Sequence, residues 1–172
     1  MKAAIHRKYG SPDVIECVDI DMPIPRDDEV LVKVHAASIN AYDWHLLTAD
    51  IFLVRLMGGG LLKPKNTVIG ADIAGRVEAV GGNVKQFKPG DEVYGDIAGR
   101  RYGGFSEYVA VDEKPLALKP INLSFEQAAA VPMAAITALQ GLRDEGHGIG
   151  KPANQEILYP KIADFFEQTF VD

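Results

Sequence analysis

The chain has 172 residues, 47% of them hydrophobic, and its 18 lysines and arginines against 24 aspartates and glutamates give a formal net charge of −6. That length suits one domain of ordinary size with or without an appendage, and the hydrophobic share is enough to bury a real core. The acidic balance offers no basic stripe to neutralise phosphates, so no nucleic-acid partner is expected, and the lone Cys17 excludes an internal disulfide and a cysteine-rich zinc site by counting.

The longest apolar run, residues 128–139, falls short of the roughly 20 residues that span a membrane, and Pro132 interrupts it, so no membrane contact is expected. Residues 1–5 already read as a strand, followed by basic His6-Arg7-Lys8, which is not the layout of a secretory leader; a cytoplasmic protein is expected. The sequon Asn122-Leu123-Ser124 then reads as a turn and a helix cap.

Residues 2–8 and 14–20 alternate in polarity on either side of Tyr9-Gly10-Ser11-Pro12-Asp13, which predicts a hairpin, with Cys17 packing in the core. Met22-Pro23-Ile24-Pro25 breaks regular structure. Residues 29–38 alternate again, with Val30, Val32 and Val34 on one face and Leu31, Lys33 and His35 on the other, and predict a strand. Asn40 is placed to cap a helix over 39–50, in which Trp44, Leu47 and Leu46 fall at helical spacing. Residues 51–68 read as an irregular segment with Gly58-Gly59-Gly60 and Lys63-Pro64; its apolar Phe52, Leu53, Leu56, Met57, Leu61 and Leu62 are numerous for a loop and suggest a substrate-side flap.

A second strand is expected within residues 70–82, where Ile73, Val77 and Val80 are apolar, Arg76 and Glu78 can face water, and Gly81-Gly82 turns the chain. In the turn Lys88-Pro89-Gly90-Asp91, proline sets the first dihedral and Gly90 accepts the positive one, ahead of a strand at 92–96. Gly103-Gly104 leads into a strand at 105–111. Ser124-Phe125-Glu126-Gln127 has the form of a capping box opening an alanine-rich helix, and Pro132 starts a second helix running to about Arg143. The sum is a mainly β unit over 1–143 that delivers helices at its end. After it, residues 144–152 form a turn-rich linker, and Leu158, Ile162, Phe165, Phe166 and Phe170 space out like the buried face of a C-terminal amphipathic helix, so 144–172 read as a segment of different origin. His6, His35, His45 and His147 are scattered without ligand spacing and read as surface or half-buried residues.

Five motifs in order carry a family resemblance: Ala37-Ser38-Ile39-Asn40-Ala41-Tyr42-Asp43-Trp44, then Gly70 to Gly82, then Lys88-Pro89-Gly90-Asp91-Glu92-Val93-Tyr94-Gly95, then Gly103-Gly104-Phe105-Ser106-Glu107-Tyr108, then Pro132-Met133-Ala134-Ala135-Ile136-Thr137-Ala138-Leu139. They resemble the N-terminal catalytic part of the quinone oxidoreductase-like, zinc-independent branch of the medium-chain dehydrogenase/reductase superfamily. The resemblance implies a GroES-like, partly open β-barrel with short helices, and an NADP(H)-dependent reduction of a quinone, enone or small carbonyl. Zinc-dependent members have His and Glu where this chain has Ala71 and Asp72, and a ligand cysteine near residues 38–40 where it has none, so no catalytic zinc is expected.

Without a metal, the protein supplies position and hydrogen bonds to the oxygen that gains charge while the nucleotide supplies the electrons. The resemblance implies Asn40, Tyr42 and Asp43 as catalytic candidates and Asn40 with Thr137 as cofactor-binding ones. Each has a structural alternative: an N-cap for Asn40, a first-turn acid for Asp43, a packed aromatic for Tyr42, and a hydroxyl bonding back to its own helix for Thr137. Tyr94 and Phe52 read as packing rather than substrate wall.

The family plan also calls for a glycine-rich phosphate turn soon after Arg143, and neither G-x-G-x-x-G nor A-x-x-G-x-x-G occurs in the chain. Gly146, Gly148 and Gly150 have the wrong spacing and are followed by Lys151-Pro152 instead of a helix N-terminus. A truncated oxidoreductase with weak or absent NADP(H) binding and little activity of its own is therefore expected. Asp144-Glu145-Gly146-His147-Gly148 and the helix after it are similar to the C-terminus of prolyl-oligopeptidase-type α/β-hydrolases, where the histidine is the triad base, but no G-x-S-x-G elbow supplies a nucleophile. Two alternatives follow: a non-enzymatic module that associates with itself or a full-length relative, and a hydrolase remnant using His147. The helices of 124–143 or the tail helix would make a homo-oligomer.

Overall fold

The computed structural model describes residues 1–51, 54, 55, 60–98 and 102–142, the last three of these as backbone alone. In chain order it holds β1 (Lys2–His6), a single 3-10 turn (Pro12–Val14), β2 (Ile15–Asp19), β3 (Glu29–Ser38), α1 (Ala41–Thr48), β4 (Asp72–Val80), β5 (Glu92–Asp96), β6 (Tyr108–Asp112), β7 (Leu116–Leu118), α2 (Phe125–Ala129) and α3 (Pro132–Leu142). The His147 and tail-helix expectations, and the flap residues Phe52, Leu53, Leu56 and Met57, lie outside the described residues. Among the described residues no helix is long and apolar enough to cross a membrane.

β3 is the longest strand, and its first half has neighbours on both sides: β6 pairs it over residues 29–33 and β4 over 30–38, both antiparallel. Val30 and Val32 on one face and Leu31 on the other are all buried, because both faces of the sheet are covered. The five-stranded sheet has the order β6-β3-β4-β5-β7, and β1 with β2 forms a separate hairpin. Two isolated bridges, Ala3 to Ser106 and Ile5 to Val68, fasten the hairpin to the rest. Among the described residues the sheet does not close on itself, which is the mainly β, partly open GroES-like architecture expected from the sequence.

One face of the sheet holds the larger core of Val30, Val32, Ile73, Val77, Val93, Val109 and Val111 with Phe87, Ile97 and Leu116. The other is covered by helices: Ala74 of β4 and Tyr94 of β5 pack with Leu123, Ala128, Ala129 and Val131, and Phe125, Ile136 and Leu139 lean on this group. Tyr94 is thus packing, as expected. The apolar side of α2 finds its cover on this chain's own sheet rather than waiting for another molecule. A complete capping box fixes the start of α2, with the Gln127 amide donating to Ser124 Oγ at 3.2 Å and the Ser124 amide to Gln127 Oε1 at 2.9 Å. Lys119, whose side chain is 5% exposed, holds the preceding turn by donating to the Leu123 carbonyl at 2.6 Å while pairing with Glu92 at 3.2 Å.

Several expectations are corrected. Cys17 is exposed, because the β1–β2 hairpin stands beside the sheet and only β1 faces the core. Val14 belongs to the 3-10 turn, where Pro12 occupies the first helical position. The strand expected at 105–111 begins three residues later, since the Ser106 hydroxyl bonds the carbonyls of Gly103 at 2.6 Å and Tyr108 at 2.8 Å and curls the backbone before pairing starts. The three-residue β7 was masked by Pro115 directly before it. Leu47 of α1 is buried but Trp44 is 47% exposed, and His6, read as a surface or half-buried residue, is fully buried beneath Tyr9.

Gly75 marks a close approach between the two central strands: a Cβ there would stand 2.1 Å from the Lys33 carbonyl oxygen, beside a register shift in β3 between Val34 and Ala36. Gly75→Ala must push two central strands apart, and a loss of about 3 kcal/mol of stability is expected from overpacking of this kind. Urea unfolding checks it; a midpoint unchanged from the parent chain would show that the strands yield without cost.

Candidate active site

The site lies where β3, β4 and β5 end on the helix-covered face. Ser38, Asp72 and Asp96 are direct partners across these three strands, so their side chains form one row. Asp72 is 0% exposed and its carboxylate collects donors from three separate elements. Ser38 Oγ and Asn40 Nδ2 each donate to Oδ2 at 3.2 Å, and the Met133 amide, in the first turn of α3, donates to Oδ2 at 3.0 Å and to Oδ1 at 3.3 Å. Burial outweighs these bonds and, with the neighbouring Asp96 charge adding to it, pushes the Asp72 carboxyl up to about 7.

Asn40 stands at the N-cap of α1 with extended backbone, as expected, and its amide nitrogen reaches back to Ser38 Oγ at 3.2 Å as well as to Asp72. Asp43, at the third position of α1, is 2% exposed and accepts from the Asn40 amide at 2.9 Å and the Gly70 amide at 3.1 Å. Both of its oxygens are thus engaged in pinning the helix to the approach of β4, where Gly70 has a φ of +107°. The structural alternative for Asp43 describes its surroundings. Burial raises its carboxyl against the lowering effect of the backbone amides of Asn40, Gly70 and Ala71.

Tyr42 faces outward from α1, 36% exposed, and its hydroxyl shares a hydrogen bond with the Tyr102 hydroxyl. Burial, the Tyr102 bond and then the Asp96 and Asp43 charges all raise the Tyr42 phenol, so it stays protonated and acts only as a donor or acceptor of hydrogen bonds. One hydroxyl proton of the pair lies between the two oxygens, and the other is available to a third group. Thr137 is exposed on α3, one helical turn beyond Met133 and on the same side of the helix, so its link to the group runs through Asp72. Asn40, Tyr42 and Asp43 therefore share the head of one helix, and Thr137 approaches from another.

The sequence reading did not single out Asp72, Asp96 or Tyr102. An acid in first place of an apolar strand was the available signal for Asp72; Asp96 and Tyr102 sit in or beside glycine-rich turns and carried no signal of their own. Among the described residues no group of three or more His, Cys, Asp and Glu is arranged to hold a metal ion.

This mainly β, partly open fold with its short helices is that of a GroES-like domain. Residues 26–121 match the alcohol dehydrogenase GroES-like domain. The chain belongs to that family and, with it, to the medium-chain dehydrogenase/reductase superfamily. It is 43% identical over 162 residues to a 2-methylene-furan-3-one reductase of Solanum lycopersicum, covering 88% of this chain and 39% of the relative. It is 39% identical over 158 residues to an NADPH-dependent alkenal/one oxidoreductase of Arabidopsis thaliana, again covering 88% and 39%. Its fold superposes on the quinone oxidoreductase of Coxiella burnetii with a TM-score of 0.75 at 33% identity, covering 83% of this chain and 44% of the other. The chain thus spans about two fifths of the length of the curated relatives it matches.

The row of acids makes stability depend on pH. Asp72, Asp43 and Asp96 are all raised, burial first in each, so above the ordinary 3.8 the folded chain keeps protons that the unfolded chain has released, on Asp72 up to about 7. Stability on their account falls as pH rises through that window and levels off above it. Asp96→Asn keeps an oxygen for the Ala98 amide, removes one raised acid and relieves its repulsion of Asp72. Thermal melting is expected to show the variant gaining about 5 °C over the parent near pH 8 and little near pH 4; an equal offset at both would refute this origin.

Proposed function

We propose that the chain is the catalytic-side part of an NADP(H)-dependent, zinc-independent oxidoreductase that reduces quinones, enones or small carbonyls. The observation that supports this reading best is the Asn40 carboxamide, held by Ser38 and Asp72 at the head of α1 beside an exposed, protonated Tyr42. The relatives point the same way in their names, which specify a furanone reductase, an alkenal/one oxidoreductase and a quinone oxidoreductase.

The residues present fit the nicotinamide side of such a cofactor: an anchored amide, an exposed threonine on α3 and a phenol pair with one proton to offer. They do not include a glycine-rich phosphate turn, so the remaining contacts to the dinucleotide must come from outside the sequence described here. When bound, NADPH would supply a hydride. Asn40 and Thr137 would orient its amide-bearing ring, Tyr42 would donate to the substrate oxygen that gains charge, and Asp43 would keep α1 in place. Ala71 and the absence of a cysteine at 38–40 remove the side chains that hold zinc in metal-dependent relatives, so polarisation of the oxygen falls to Tyr42.

Titration calorimetry of NADPH into the 172-residue chain is expected to show only weak binding, with a Kd of about 1 mM or more, the affinity of a few contacts. Grafted onto the dinucleotide-binding half of a quinone oxidoreductase, the chain is expected to oxidise NADPH with a quinone or an enone, and Tyr42→Phe to lower kcat by about 10- to 100-fold. A graft that folds and binds NADPH but reduces neither substrate class overturns the reading.

A further inference from the structure

The proposed reaction gives tasks to Asn40, Tyr42 and Thr137 and none to Asp72, although it is the most enclosed acid among the described residues. We propose that Asp72 is a positioning residue: by accepting at once from Ser38, Asn40 and the Met133 amide, its carboxylate sets the direction of the Asn40 carboxamide and ties it to the helix bearing Thr137. The inference rests on the reading of Asn40 and Thr137 as the nicotinamide side of the site.

Capping α1 does not require the side-chain nitrogen of Asn40, because a cap acts through an oxygen acceptor. Here that nitrogen faces two acceptors, Ser38 Oγ and Asp72 Oδ2, on one side, and a planar carboxamide held there by its nitrogen has its oxygen sent to the opposite side. The acceptor that fixes it lies 32 residues away in sequence, and the Met133 amide on the same carboxylate lies 61 residues away. An anchor for α3 alone would need only the second of these. One carboxylate therefore aligns the two elements from which the cofactor-side candidates project, with the rigidity that a reacting geometry demands.

The groups around Asp72 are of two kinds. Ser38 from β3, Asn40 at the head of α1 and the Met133 amide from α3 are uncharged donors, and Asp96 from β5 is the charged side chain facing it. Burial first and Asp96 after it place the carboxyl near 7, so the group changes charge across neutral pH, and a proton on it weakens its hold on all three donors. The orientation of Asn40 thus follows the titration of Asp72.

Nitrogen-resolved NMR of the 172-residue chain, from about pH 5.5 to about pH 8.5, tests this without any turnover. The Asn40 side-chain NH2 and the Met133 backbone amide are expected to shift together with one midpoint near 7, and in Asp72→Asn both are expected to lose that titration. The Asn83 side-chain amide, which donates to exposed Asp28, serves as a control that should not share the midpoint. An Asn40 carboxamide that stays still while Met133 titrates would overturn the proposal and leave Asp72 as an anchor of α3 alone. Should Asp72→Asn not fold, Ser38→Ala decides: Asn40 is expected to shift while Met133 still titrates, with its midpoint moved upward because the Ser38 bond that lowers the Asp72 carboxyl is gone, and an unmoved Asn40 again overturns the proposal. Failure of the oxidoreductase reading would show in the grafted enzyme and not in these signals, so the two outcomes are separable.

Discussion

The register between β3 and β4 is the constraint on which the rest depends. Ser38 is paired with Asp72, Ala37 with Ile73 and Ala36 with Ala74, after a shift that absorbs one residue between Val34 and Ala36. Because side chains alternate across a strand, moving the pairing by one residue would carry Asp72 to the valine-rich core and Ile73 to the helices. The large core on one face and the alanine-lined helix seat on the other both resist such a slip. Gly75 contributes from within, since only a residue without a Cβ lets the two strands meet at the register shift. Burial of apolar side chains, a non-directional force, is in this way converted into the placement of one carboxylate.

That placement carries an electrostatic cost. A carboxylate removed from water loses several kcal/mol of hydration unless hydrogen bonds replace it, and the three donors to Asp72 replace it incompletely, as its raised titration shows. Asp43 meets the same problem with backbone amides and joins α1 to Gly70 in doing so. Both acids thus serve as joints: one between helix and strand, the other between two helices and a strand. Their donors come largely from the backbone or from short side chains, groups with little freedom to lose on ordering. The joint is stiff for that reason, and the side chains standing on it inherit the stiffness.

Much of the scaffold was legible in the sequence and much of the site was not, for a physical reason visible in particular residues. The strand at 29–38, the turn at Pro89-Gly90 and the Ser124 capping box are local signals, each contained in a few neighbouring residues, and the structure has them where they were read. Asn40 as a cap belongs to the same class. Asp72 has its meaning only through Ser38, Asn40 and Met133, and Tyr42 through Tyr102, 60 residues on. No window of sequence contains those pairs. Cys17 failed in the same way: its alternation was local and correct, but which side of the hairpin would meet the sheet was decided by the bridges of β1 to Ser106 and Val68. Family motifs brought Asn40, Tyr42 and Thr137 forward because a resemblance compresses long-range pairing into a short pattern, whereas the donors that give Asp72 its meaning lie 32 to 61 residues away and belong to no such pattern.

The acid row also bears on how a metal-free site of the proposed kind could stabilise charge. Hydride transfer to an enone, quinone or carbonyl leaves negative charge on oxygen, and a full negative charge about 4 Å away would oppose it by about 1 kcal/mol in water and about 4 kcal/mol near a protein surface. At about 1.4 kcal/mol per factor of ten, that is a penalty of roughly 5- to 1,000-fold in rate, comparable with what a single good donor returns. Three ionised carboxylates around Tyr42 and Asn40 would therefore undo what the phenol supplies. Burial that raises Asp43, Asp72 and Asp96 works against this, because each acid that keeps its proton removes a repelling charge while remaining a hydrogen-bonding joint. The same desolvation that weakens the fold as pH rises thereby keeps the polar end of the sheet closer to neutral, and rigidity and electrostatic tolerance come from one physical source.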